Sequence, residues 1–151
     1  MTPAITAGIP FVVHEYKHTA SAQAYGREAA AALGVDPGRV FKTLVVSLGN
    51  ERLAVANVPV RKKLDLKAIA VALGAKKAAM ADSTDAERAT GYVLGGISPL
   101  GQRKRLPVVI DRSVLAHESV YVSAGKRGLE IELAPRNLIQ LVSAKIAPVS
   151  C

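Results

Sequence analysis

Two apolar runs, Phe41 to Leu48 and Leu53 to Val58, stand on either side of Gly49-Asn50. Runs of this length, rich in Val and Leu and bounded by turn residues, read as strands. Gly-Asn is a weaker hairpin signal than Asn-Gly, but both residues tolerate the backbone that a tight turn needs. Helical patterns flank this predicted hairpin. Ser21 is placed to cap a helix whose buried stripe is Tyr25, Ala29, Ala32 and Leu33, with Gly34 ending it. Asp65 caps a second helix in which Leu66, Ile69, Ala70 and Leu73 fall at i, i+3, i+4 and i+7, closed by Gly74. Thr84 and Glu87 have the capping-box spacing for a short helix ending before Gly91. Pro135 suits the first turn of a last helix packed through Leu138, Leu141 and Val142.

Further strands are predicted at Phe11 to Tyr16, Pro107 to Ile110 and Val120 to Ser123, and at Leu129 to Leu133 after the turn Gly125 to Gly128. Strands and helices interleave, yet hairpins are present. The pattern fits an α/β fold with a mixed sheet and surrounding helices better than a doubly wound parallel one. The 151 residues show no repeat, linker or break in composition, so one domain over residues 1–151 is expected. No run of 18 apolar residues exists to span a membrane, and Met1 to Pro10 lacks the features of a secretory signal. Cys151 is the only cysteine, which rules out an internal disulfide and a cysteine-based zinc site. A cytoplasmic address is the expectation.

Twenty Lys and Arg against twelve Asp and Glu give a formal charge of +8. The charge is clustered: Arg61, Lys62, Lys63 and Lys67; Lys76 and Lys77; Arg103, Lys104 and Arg105; Lys126 and Arg127. Short groups of this kind suit gripping phosphates at several points, and nucleic acid is the commonest cellular polyanion. A merely soluble basic surface is the alternative. With no Trp, two Phe and four Tyr, a base-stacking platform is not expected, so RNA would be held by its backbone.

The search for chemistry is informative partly through what is missing. His14, His18 and His117 have no HExxH, CxxC or carboxylate cluster beside them, so they read as structural or surface histidines and no metal or other cofactor is expected. Cys151, after Pro148-Val149-Ser150, is expected to fray and makes a poor nucleophile. No GxSxG elbow is present. The densest local signal is Gly95-Gly96-Ile97-Ser98-Pro99-Leu100-Gly101. Three glycines and a proline fix an unusual path, let a ligand approach the main chain, and can aim N–H groups at an anion. A purely structural turn is equally compatible with that composition. It is not a phosphate-binding loop of the ATPase kind, because Gln102 stands where Lys is required. Lys42 lies on an apolar face with Leu44 and Val46, where it either directs its ammonium into a cleft or snorkels at the strand edge.

Four motifs occur in order: Lys42-Thr43-Leu44, Thr90-Gly91-Tyr92, the Gly95 to Gly101 loop, and Tyr121-Val122-Ser123-Ala124-Gly125-Lys126-Arg127-Gly128-Leu129. Together they resemble the YbaK family of free-standing editing proteins, related to the editing domain inserted in bacterial prolyl-tRNA synthetases. The resemblance implies one α/β domain with a curved mixed sheet ringed by helices. It implies an aminoacyl-tRNA deacylase that clears Cys-tRNA(Pro), with activity on Cys-tRNA(Cys). The partners implied are the acceptor end of tRNA(Pro) and, for delivery, prolyl-tRNA synthetase. By the same resemblance Lys42 is the essential residue. Gly95, Gly96, Ile97, Ser98, Pro99 and Gly101 line the ester pocket with Tyr16, Thr43 and Ser123. The basic groups Arg61, Lys62, Arg103, Lys104, Arg105, Lys126 and Arg127 are the candidates for holding RNA. Glu130 stands where relatives are expected to carry Asp. In this branch the substrate's own thiol is the implied nucleophile, which accounts for the missing protein nucleophile. A deacylase for Ala or Ser, or a non-catalytic tRNA-binding module, remains the alternative.

Overall fold

The computed structural model describes residues 10–17, 25–50, 52–92, 96–102, 104–126 and 128–151. At its centre, β2 (Phe41–Gly49) and β3 (Arg52–Pro59) form the hairpin that the two apolar runs predicted. They pair antiparallel from Phe41↔Pro59 to Gly49↔Arg52, and Gly49 and Asn50 take positive φ, +88° and +51°. Residues with little or no penalty in that region sit where the chain has to reverse.

β4 (Ala79–Met80) adds to β2, while β5 (Val108–Asp111) and β8 (Lys145–Ala147) extend the sheet beyond β3, giving the order β4-β2-β3-β5-β8. The β3/β5 and β5/β8 pairs are parallel and the rest antiparallel, so the sheet is mixed as expected. β1 (Val12–Glu15), β7 (Leu129–Leu133) and β6 (Val120–Ser123) form an antiparallel three-stranded sheet in that order. Among the described residues a parallel bridge, Val40 to Tyr121, joins the two sheets.

The helices are α1 (Tyr25–Leu33), α2 (Leu66–Ala72), α3 (Ser83–Thr90) and α4 (Pro135–Val142). Asp65 caps α2 as predicted, its Oδ1 accepting from the Ala68 N–H at 3.1 Å. Ser21 lies outside the described residues. The Thr84–Glu87 capping box does not form. Asp82 holds the cap position and Thr84 is already helical, so its backbone lacks the extended geometry a cap requires.

The largest core lies between the sheets, with Phe41, Val55, Ile110, Val122, Ile131 and Leu138 at its centre. A second core puts Val46, Ala56, Val58 and Ile69 under α2, and a third puts Val40, Val60 and Tyr121 under Ala29 and Ala30 of α1. Each large side chain buried in this way contributes about 1.5–3 kcal/mol.

The expected fraying of Cys151 is corrected. Lys63 and Cys151 exchange backbone hydrogen bonds of 3.0 and 2.8 Å, and Val149 is fully buried. Asp111 Oδ1 accepts from the Val149 and Ser150 N–H groups at 2.9 and 3.0 Å. Burial alone would raise the Asp111 carboxyl's pKa, but these bonds and those from Ser113 outweigh it and hold the pKa low. A buried anion that needs the tail's amides ties the chain end down.

Candidate functional site

The glycine-rich loop is held rigidly from several sides. α3 ends at Gly91 (φ +82°), and Thr90 Oγ1 accepts from the Tyr92 N–H at 3.2 Å, turning Tyr92 back over the loop. The Tyr92 hydroxyl donates to the Leu100 carbonyl. Burial raises the phenol's pKa, so it stays a neutral donor. Ser98 Oγ accepts from the Leu100 N–H at 3.1 Å, and Gln102 Nε2 donates to the Ser98 carbonyl at 2.9 Å. Gln102 therefore closes the loop on itself. Gly96, Ile97, Ser98, Pro99 and Leu100 are buried, whereas Gly101 is exposed. Gly95 lies outside the described residues. The Tyr92 ring also lies against Gly125, where an added Cβ would come within 3.0 Å of it.

The loop crosses one face of β2. Ile97 clusters with Val45 and Ala86, and Leu100 belongs to the core that holds Phe41 and Val55. Alternation along the strand puts Thr43 on that face, between Phe41 and Val45, where it is half-buried. Its hydroxyl accepts from Asn57 Nδ2 at 2.8 Å.

The other face of β2 is shared: Leu44, Val46 and Leu48 lie in the core under α2, and the Val40 end looks toward α1. Val40 and its bridge partner Tyr121 both pack there against Ala29 and Ala30. Two residues further along each strand, Lys42 and Ser123 fall on the same side. Ser123 pairs with Glu130, and Glu130 with His14, so a polar row crosses β6, β7 and β1. Tyr16 packs against the α1 core and donates its N–H to the Gly128 carbonyl at 2.9 Å. Glu130 is buried and makes no hydrogen bond or ion pair among the described residues, and burial lifts its pKa to about 8. Its carboxyl is neutral at pH 7.

Between the two faces lies an opening in the strand pairing along the edge of β2. On the side of β2 away from β3, Val40 is bridged by Tyr121, and Val46 and Ser47 are paired by β4. Between them no strand pairs on that side with Thr43 or Leu44 among the described residues. The gap is flanked by Lys42 on one face of β2 and Thr43 on the other, with the rigid loop crossing the Thr43 face. An uncovered stretch of strand edge, a lysine and a fixed loop make a place to orient a polar acyl group.

The basic residues divide by element. Arg61 and Lys62 are exposed in the turn after β3, and the Arg61 guanidinium lies against Gly38. Lys104 and Arg105 are exposed just beyond the loop, but Arg105 Nη2 donates to Ser143 Oγ at 2.9 Å, which draws it toward the end of α4. Lys126 is exposed in the β6–β7 turn, next to the glycine that Tyr92 covers. Arg103 and Arg127 lie outside the described residues. No group of three or more His, Cys, Asp or Glu capable of holding a metal occurs among the described residues, and none of their helices is long and apolar enough to cross a membrane.

Sequence reasoning passed over Asn57 and gave no role to Tyr92 or Gln102. A lone Asn inside the apolar run Leu53 to Val58 was the available signal, because a polar side chain placed in a core has to find a partner.

The profile of the aminoacyl-tRNA editing domain matches residues 19–141. A protein of Enterococcus faecalis named "Putative Cys-tRNA(Pro)/Cys-tRNA(Cys) deacylase EbsC" is 39% identical over 137 residues, covering 90% of this chain and 84% of that protein. The uncharacterized protein YwhH of Bacillus subtilis is 27% identical over 119 residues, 79% of this chain and 75% of its own length. Among solved structures, one described as a "putative trans-editing enzyme for prolyl tRNA synthetase" superimposes with a TM-score of 0.82 at 26% identity, covering 93% of this chain and 87% of that one.

Proposed function

Because the chain belongs to the aminoacyl-tRNA editing domain family, we propose that it is a trans-editing deacylase that clears a wrongly attached amino acid from transfer RNA. Its substrates are Cys-tRNA(Pro) and Cys-tRNA(Cys). The observation that carries this reading is the 39% identity to the Enterococcus faecalis deacylase across 90% of this chain. The family match, residues 19–141, takes in β2, the loop and the β6–β7 turn. The need for such an enzyme is physical. Cysteine is close to proline in size, and an apolar pocket rejects a near-isostere by only about 10- to 200-fold.

The acceptor end enters at the opening beside Lys42, Thr43 and Leu44. Lys42 supplies positive charge to the ester or its terminal phosphate, and the backbone of the Gly96 to Gly101 loop orients the acyl group, with Gly95 beside it in sequence. Tyr16 and Ser123 border the α1 side of the site. Lys104 and Lys126, with Arg103, Arg105 and Arg127 next to them in sequence, grip the RNA backbone near the site, and Arg61 and Lys62 grip it elsewhere. Prolyl-tRNA synthetase is the source of the mischarged tRNA, and the cytoplasm is where the two meet.

An aminoacyl ester is already activated, so positioning and charge stabilisation suffice without a protein nucleophile. The substrate thiol attacks its own carbonyl carbon. A C–S bond forms, the ester C–O bond breaks, and the thiol proton ends on the departing ribose oxygen, leaving a cyclic thioester that water opens. The test is a deacylation panel of tRNA(Pro) carrying Cys, S-methyl-Cys, Ser or Ala. Cys should be cleared fastest, increasingly so as pH rises toward the thiol pKa near 8.5. S-methylation should abolish clearance. Normal clearance of the S-methyl ester would make water the nucleophile and move the chain to the Ala- or Ser-clearing deacylases. Ester lifetimes unchanged throughout would make it a tRNA binder.

A further inference from the structure

Asn57 is fully buried in β3, directly opposite Thr43 on β2 and beside Ile110 on β5. Its Nδ2 donates to Thr43 Oγ1 at 2.8 Å and reaches the Lys42 carbonyl at 3.4 Å, while its Oδ1 has no hydrogen-bond partner. The Lys42 contact fixes which end of the amide faces β2, because only the NH₂ group can donate to a carbonyl. An apolar residue here would bury no orphaned oxygen, so stability alone does not explain an asparagine.

The amide has a consequence for Thr43. A hydroxyl has one proton, and an oxygen that accepts from Asn57 directs that proton elsewhere. No described residue accepts it, and the half-buried Thr43 borders the opening beneath the loop. We propose that Asn57 is a positioning residue: its amide sets the Thr43 hydroxyl as a hydrogen-bond donor into the opening, aimed at the carbonyl oxygen of the bound ester, and steadies the backbone at Lys42. The inference rests on the deacylase reading above. Without Asn57 the hydroxyl is free to rotate and spends its proton on other acceptors. With it, the donor is preorganised for the charge that develops on the ester oxygen.

The test is a double-mutant cycle on Cys-tRNA(Pro) deacylation with N57V, T43V and the double variant, and with thermal melting followed alongside. N57V should melt no lower than wild type, since the orphaned oxygen is gone. It should clear the ester roughly tenfold more slowly, inside the ~100-fold that ångström-scale misplacement produces. In the T43V background the same change should alter the rate by less than about twofold, because the two residues act as one unit. N57D is a second probe. An ionised carboxylate only accepts, so it captures the Thr43 proton and slows clearance. Once protonated it donates, so its rate relative to wild type should climb as pH falls. N57V at wild-type speed, losses that multiply in the double variant, or an N57D ratio flat with pH would each overturn the inference. A wild-type protein that clears no ester refutes the deacylase reading itself, and the control separates that failure from the others.

Discussion

The two ends of β7 treat the same side chain in opposite ways. Glu132 and Glu130 lie two residues apart on the same face of the strand. Glu132 accepts from Ser119 Oγ at 2.5 Å and from Arg39 at 3.4 Å, and pairs with His14 at 2.9 Å. The Ser119 bond is the largest influence on it, with His14 and Arg39 adding to it, and together they hold its pKa below the ordinary value. Tyr121 completes that end, with the Arg39 guanidinium 5.2 Å from its ring centroid. Glu130 has burial and nothing opposed to it, and its pKa climbs to about 8. A satisfied network joins strands together. A buried carboxyl with a raised pKa, in line with Ser123 and on the Lys42 side of the sheet, is the kind of feature that active sites retain.

The sharpest break between the two ends is in their pH dependence. A carboxyl whose pKa is raised on folding favours the folded state at low pH, and that advantage is lost as pH rises from the unfolded value, 4.5, toward about 8. In urea melts, the stability of wild type relative to E130Q should fall by up to about 3 kcal/mol between pH 5 and pH 8. A difference that does not change with pH would mean that Glu130 is solvated after all. Glu132 has the opposite sign: its contribution is present above pH 4.5 and fades as acid protonates it.

Activity should divide the same way. Lys42→Ala should lower deacylation by about 100-fold or more, the scale of removing one electrostatic stabiliser, with the melting temperature little changed. A folded variant with near-normal turnover would return Lys42 to a snorkelling role. The smallest effect is expected at the satisfied end. E132Q should lose about 1–2 kcal/mol of stability and leave the deacylation rate per folded molecule unchanged. A large rate loss there would mean that the network reaches the site.

The sequence was most readable where the signals were local. The β2–β3 hairpin came from two apolar runs and a turn pair, α2 from its cap and periodicity, and β6 and β7 from the glycines between them. It was least readable where a residue's role depends on a distant partner. β8 is three residues long and is a strand only because β5 lies beside it. Cys151 is ordered because Asp111, far back in the chain, needs the tail's amides. Lys42, Thr43 and the loop stood out from their motifs, but Asn57 is inseparable from Thr43 and nothing near it in sequence says so. The Thr84–Glu87 spacing was a real local signal, but the helix begins at Ser83 with Asp82 at the cap position, which leaves Thr84 inside the first turn.

The contact between Tyr92 and Gly125 also bears on how this sequence can drift. Position 125 is closed to other residues twice over, by a φ of +114° and by a ring only 3.0 Å from where a Cβ would stand. Its neighbour Lys126 is exposed and under neither restriction. In lineages descended from this chain, the charge of the β6–β7 turn is therefore free to change, while the glycine beside it stays fixed. Variation in that charge can accumulate without disturbing the Leu100 carbonyl on which the same tyrosine rests.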